Sequence, residues 1–342
     1  LLTSGVFVKN IALCFGGDTN AAVLAALLRR DGGQTVWSCS RAQPAGRVRP
    51  GAGRAELAAA RAAVAEAYQF LVETWEPGDR LFLFGAGRGA ACARALARLL
   101  GTFGVLGDDV PGWTVEDFRE YVLATYAMPR TRRDNTDWEH VGRLAAEFSG
   151  GADLAVAVEY LGLWDTFAVP GLPRPQACDP TPNVLAARHA VAIDGHGHRG
   201  PQLLDRGADR VQEVWFRGAH CDVAGEPGAC SALSGIALDW ILDGAVRAGA
   251  AVCEPPCQLP PHALDALAGS AHIVAFRKVP ADAAVHASVA CFLRAHPSYW
   301  HRLPAHVVWA DLDWVARSER LIPVPAPPPN PAPEIPALAT AG

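Results

Sequence analysis

Residues 80–100 admit very few folds. Arg80-Leu81-Phe82-Leu83-Phe84 is an apolar run of strand length, and it meets Gly85-Ala86-Gly87-Arg88-Gly89 before a helix-forming segment from Ala90 to Leu100. A strand with no polar face must be covered on both sides, which suits the interior of a parallel sheet. The glycine pattern fits a sharp strand-to-helix turn of the G-x-S-x-G type, in which the central side chain is pushed up as a nucleophile. Here the central position is Gly87. The turn is predicted to survive without its reactive atom.

The rest of the chain is read around that turn. Lys9 to Phe15 reads as a first buried strand, Thr19-Asn20 as the cap of a helix from Ala21 to Arg30, and Gln34 to Cys39 as a second strand. A long helix is predicted over Arg54 to Trp75, with Leu57, Val64, Tyr68, Leu71 and Trp75 at helical spacing. Strand and helix alternate three times by residue 100, which predicts an α/β fold with a mostly parallel sheet and helices on both faces. Thr114 to Ala127 and Thr136 to Phe148 read as two helices, either a cap over a site or ordinary crossover elements. Leu154 to Leu163 is a strand closing in Trp164-Asp165-Thr166, and Asn183 to Ile193 is read as a helix. Val211 to Gly218 is a strand delivering His220, Cys221 and Asp222 at its end, and Ser231 to Ala248 is a helix. The Pro-rich run from Pro323 is expected to be an extended tail.

Charge and cysteine content narrow the function classes. The 342 residues carry a formal charge of -5, with lysine only at Lys9 and Lys278, so nothing in the balance favours nucleic acid. Nine cysteines at scattered spacing suit a reduced compartment better than a disulfide framework. Leu1-Leu2-Thr3-Ser4 opens without the basic and apolar regions of a signal peptide, and no apolar run is long enough for a membrane span. A cytoplasmic location is expected, with export by a specialised machine left open. Cys221, Cys230, Cys253 and Cys257 do not have zinc-finger or ribbon spacing, so neither a metal nor a cofactor is expected.

Three strand ends carry residues of one chemistry, in the order Gly87, Asp165, His220. Nucleophile, then acid, then histidine is the chain order of α/β-hydrolases. The elbow Phe84-Gly85-Ala86-Gly87-Arg88-Gly89-Ala90, the segment Leu161-Gly162-Leu163-Trp164-Asp165-Thr166 and the segment Val214-Trp215-Phe216-Arg217-Gly218-Ala219-His220-Cys221-Asp222-Val223 together resemble one α/β-hydrolase family. It is the family that includes the catalytic domain of type VI secretion phospholipase effectors. Weaker echoes lie at Lys9 to Gly17, His189 to Asp194 and His286 to Val289.

The resemblance implies a single α/β-hydrolase-like domain over about 1–320, a helical insertion over about 104–150 and a tail over 321–342. It places Asp165 as triad acid and His220 as base, with Asp222 a further candidate beside them. Oxyanion donors are expected at Gly17 and Arg88. The family has serine where this chain has Gly87. It also has an acid at position 16, an acidic pair at 194–195 and a glycine-rich segment after the histidine, where this chain has Gly16, Asp194-Gly195 and Ala224-Gly225-Glu226-Pro227.

Other side chains nearby could replace the missing nucleophile. Cys92 falls a turn into the helix after the elbow, and Cys221 points away from His220 if both lie on an extended strand end. Ser231 and Ser234 follow in the next helix. A Gly-x-Gly-x-Gly turn alone would also suggest a dinucleotide loop, but the spacing and the strand's position in the chain do not fit. Two functions follow. One is a catalytically silent relative of phospholipases and esterases that binds a lipid, an ester or a protein partner. The other is an active serine-hydrolase-like lipase or esterase using His220 and Asp165.

Overall fold

The computed structural model describes residues 8–39, 52–106, 114–128, 135–148, 154–169, 182–195, 201–204, 210–253 and 277–314. Eight strands form one sheet in the order β2-β1-β3-β4-β5-β6-β7-β8, and every neighbouring pair is parallel. The strands are β1 Asn10–Phe15, β2 Gln34–Ser38, β3 Arg80–Ala86, β4 Val158–Trp164, β5 Ala187–Ala192, β6 Val211–Phe216, β7 Ala284–His286 and β8 Val308–Ala310. The chain runs outward from β1 to β2, then returns to β3 and proceeds the other way. The direction of winding therefore reverses between β1 and β3, the crevice where open α/β sheets gather ligands.

Alternation along the strands sends side chains into two separate cores. On one face Ile11, Leu13, Leu81, Leu83, Leu161 and Leu163 pack against helices α2 Ala52–Thr74 and α3 Arg88–Phe103. On the other, Ala12, Phe82, Phe84, Tyr160 and Trp164 pack against α1 Asn20–Leu27 and α7 Ser231–Arg247. A third core joins Val191, Trp215 and Val285 to Val289 of α8, Ala287–Ala295. Thr19 caps α1 as its sequence predicts, its Oγ1 accepting from the Ala21 N–H.

The two helices between β3 and β4, α4 Val115–Val122 and α5 Asn135–Phe148, join the α2–α3 layer. Val122, Val141 and Ala145 lie in the same core as α2 and α3, Arg61 of α2 donates to the Met128 carbonyl at 2.6 Å, and the Arg98 guanidinium of α3 sits 5.1 Å from the Trp138 ring centre. They are crossover elements on the sheet's flank.

One element departs from its sequence reading. Asn183 to Ile193 reads as a helix, but Ala187–Ala192 is a fully buried strand between β4 and β6. Alanine favours helix locally, yet the backbone groups here are taken by ladders on both sides, and tertiary context overrides propensity. Arg188 points to α7, bonding the Trp240 carbonyl and Asp243. His189 points the opposite way, to Thr166 and Glu213. The Pro-rich run from Pro323 lies outside the described residues.

Candidate functional site

The elbow keeps its shape without a side chain. Gly87 has φ 57° and ψ −113°, where L side chains are strained. Its neighbours let helix and strand come very close: a Cβ on Gly89 would lie 2.3 Å from the Phe15 carbonyl oxygen, and one on Gly85 would lie 2.5 Å from the Gly89 carbonyl. Only glycine fits at either place. The Gly87 N–H donates to the Trp164 carbonyl at 2.8 Å, and the Phe167 N–H donates to the Gly87 carbonyl at 3.1 Å. The turn after β3 and the end of β4 are thereby fixed to each other.

Asp165 follows β4 directly and is fully buried, at φ 40°. Its Oδ2 lies 2.8 Å from His220 Nδ1. Its Oδ1 accepts from the Ala192 N–H at 3.0 Å. Arg277 grips both oxygens, Nη1 at 2.5 Å and Nη2 at 2.9 Å. Burial alone would raise the Asp165 pKa, but the Arg277 charge and the His220 hydrogen bond outweigh it and hold the carboxyl well below the usual range. Asp165 is an anion whose charge is already matched by a buried guanidinium.

His220 opens the short helix α6, His220–Ala224. Its ring lies 4.0 Å from the Phe167 ring, tilted by 31°. A Cβ on Gly87 would meet its Cε1 and Nε2 at 3.0 Å each, so the imidazole lies directly over the elbow. Nε2, the nitrogen that would face a serine hydroxyl, instead lies 3.3 Å from Glu226 Oε1. Burial would lower the imidazole pKa, but the hydrogen bonds and charges of Asp165 and Glu226 raise it to about 8. The Glu226 pKa is lowered by the His220 hydrogen bond. At neutral pH the ring is an imidazolium between two carboxylates.

The sequence-predicted residues divide clearly. Gly87, Asp165 and His220 come together at the ends of β3, β4 and β6, and Gly17, with φ 48°, follows β1 across the crevice. Arg88 opens α3 at the elbow, and its side chain pairs with Glu56 at 3.1 Å. Asp222 does not reach His220. Its carboxylate accepts from the Ala219 N–H at 2.9 Å and the Cys230 N–H at 3.1 Å, closing the loop that carries the imidazole. Arg277 and Glu226 were not foreseen as site residues. Glu226 stood in the segment that departs from the resembled family, whereas Arg277 lies far along the chain with no local motif to mark it.

Burial raises the Cys92 thiol to about 12 and the Cys221 thiol to about 11, so neither is a thiolate near neutrality. A second serine–histidine–aspartate row exists at Ser288, His286 and Asp311, at 2.8 Å and 3.3 Å. It is structural: His286 is fully buried, stacked 4.5 Å from Phe216, and caps α8 by accepting from the Ser288 N–H. A further buried network lies next to Asp165 in the chain. His189 Nε2 accepts from the Thr166 N–H at 3.1 Å, which leaves Nδ1 as the protonated nitrogen, 3.1 Å from Glu213. Among the described residues there is no group of three or more metal-ligating side chains, and no helix is long and apolar enough to cross a membrane.

Residues 47–244, more than half of the chain, match the family described as type VI secretion system, phospholipase effector Tle1-like, catalytic domain. The matched stretch holds Gly87, Asp165, His220 and Glu226, while Gly17 and Arg277 lie outside it. An uncharacterized protein of Saccharomyces cerevisiae is 28% identical over 145 residues, 41% of this chain and 20% of its own length. The crystal structure of an uncharacterized protein from Pseudomonas aeruginosa aligns at 17% identity and a TM-score of 0.36, over 72% of this chain and 46% of that one. The structure of the Tle1 effector bound to the VgrG spike of the type 6 secretion system aligns at 15% identity and a TM-score of 0.38, over 64% of this chain and 51% of that one. The chain thus spans about a fifth of the yeast protein and about half of each solved chain.

Proposed function

The chain belongs to the Tle1-like catalytic-domain family of type VI secretion phospholipase effectors, and on that premise we propose that it is a member that binds a lipid or ester ligand without forming an acyl-enzyme. One observation carries this reading: position 87 holds the elbow conformation and lies against His220, yet has no hydroxyl. Ester hydrolysis through a covalent intermediate needs an attacking atom beside the imidazole. Among the described residues, the hydrogen-bonding partners of the His220 ring are the carboxylates of Asp165 and Glu226. Nε2, the ring nitrogen that would take the proton, already has Glu226 Oε1 at 3.3 Å.

The alternative is an active serine-hydrolase-like esterase. It predicts a labelled nucleophile, and that separates the two. Purified protein is treated with a fluorophosphonate probe and with short-chain p-nitrophenyl esters, alongside His220→Ala. The silent reading expects no labelling and no turnover above the His220→Ala background. Labelling or turnover that disappears in His220→Ala overturns it.

A further inference from the structure

Glu226 does something that the loss of a nucleophile does not require. Its Oε1 lies 3.3 Å from His220 Nε2, on the one ring nitrogen that faces away from Asp165. A carboxylate oxygen is therefore already seated against the nitrogen that would serve a serine. Asp165 meets the ring at Nδ1, so Nε2 takes a partner of its own. The imidazolium needs an anion on its open side. Neither partner is sealed in: the His220 side chain is 17% exposed and that of Glu226 is 40% exposed. Arg88, at the start of α3 and paired with Glu56, exerts a favourable charge on Glu226.

We propose that His220 Nε2 is a carboxylate-binding site whose resident occupant is Glu226, exchangeable for an aliphatic carboxylate of the kind that ester hydrolysis releases. The proposal rests on the reading above that this site binds rather than turns over. The exchange forms one charge-assisted hydrogen bond as it breaks another, so its balance is set by how firmly the tethered Glu226 holds the ring. The ring itself is pre-positioned, clamped at Nδ1 by Asp165 and packed, at a tilt, against Phe167. With Glu226 in place only a fraction of molecules present an open Nε2, and the apparent affinity for an outside carboxylate is reduced by that fraction.

The test follows the His220 ring ¹⁵N and ¹H resonances by NMR during titration with acetate, octanoate and octanol, in the natural chain, Glu226→Ala, Glu226→Gln and His220→Ala. Saturable shifts with both carboxylates are expected, none with octanol, and a tightening of about tenfold when the resident carboxylate is removed. The binding is expected to vanish in His220→Ala, monitored there by octanoate calorimetry. Glu226→Gln keeps the side-chain length and decides the matter if Glu226→Ala folds poorly. Equal response to octanol and octanoate, no saturable shift in the Glu226 variants, or unchanged affinity in them overturns the proposal. Fluorophosphonate labelling would overturn the parent reading instead, so the two failures are told apart.

Discussion

Gly87 shows what one missing side chain does to its surroundings. A serine placed there would have to accept φ 57° and a Cβ 3.0 Å from the imidazole. Gly87→Ser is expected to cost about 1–3 kcal/mol of stability, measured by urea denaturation, because a strained backbone position persists only when its surroundings enforce it. The same variant should gain fluorophosphonate labelling, and more so when combined with Glu226→Gln, which removes the rival for Nε2. Arg277 carries the opposite risk. Arg277→Met strands a buried carboxylate and should destabilise by about 3–5 kcal/mol, whereas Arg277→Met with Asp165→Leu should recover much of the loss, because it removes both charges together. That Gly87, Asp165 and His220 meet was legible in the sequence because each follows a strand in a recognisable local context. Arg277 was not, since a charge partner brought in from 112 residues away leaves no local pattern, and Glu226, though close to His220 in sequence, stands in a segment with no motif to mark it.

The elements were legible to different degrees, and the reason is physical. β3 and α3 are dictated by their own residues: an apolar run, glycines where backbones nearly touch, and then helix formers. Gly89→Ala tests that tightness. Its Cβ would fall 2.3 Å from a backbone carbonyl that cannot rotate away. A loss of about 3 kcal/mol, the upper part of the overpacking range, is expected in thermal or chemical unfolding. β5 is the reverse case. Ala187-Arg188-His189-Ala190-Val191-Ala192 holds three alanines, and only its neighbours β4 and β6 make it a strand. Short β7 and β8 are similar, three residues each, and no periodicity can be read from so few positions. The crossover helices α4 and α5 were predicted as helices, but their placement on the flank depends on packing with α2 and α3.

The charges at the sheet's end also give the whole molecule a pH signature. His220 is raised from an ordinary 6.5 to about 8 in the fold. A group raised on folding stabilises fully below its unfolded value and loses that contribution as pH climbs through the folded one. Stability should therefore fall between about pH 6.5 and pH 8 and above, by at most about 2 kcal/mol, and the fall should shrink in Glu226→Gln. The parallel order of the strands has a consequence for how the molecule is made. β1, near the start of the chain, lies between β2 and β3, while the guanidinium that neutralises Asp165 comes from residue 277. A nascent chain that stops at Cys253 holds Gly87, Asp165, His220 and Glu226, but a buried carboxylate without its cation. Such a nascent chain, or any excised fragment ending there, should stay bound to chaperones and precipitate when freed, since the far end of the sequence holds the charge that lets the near end settle.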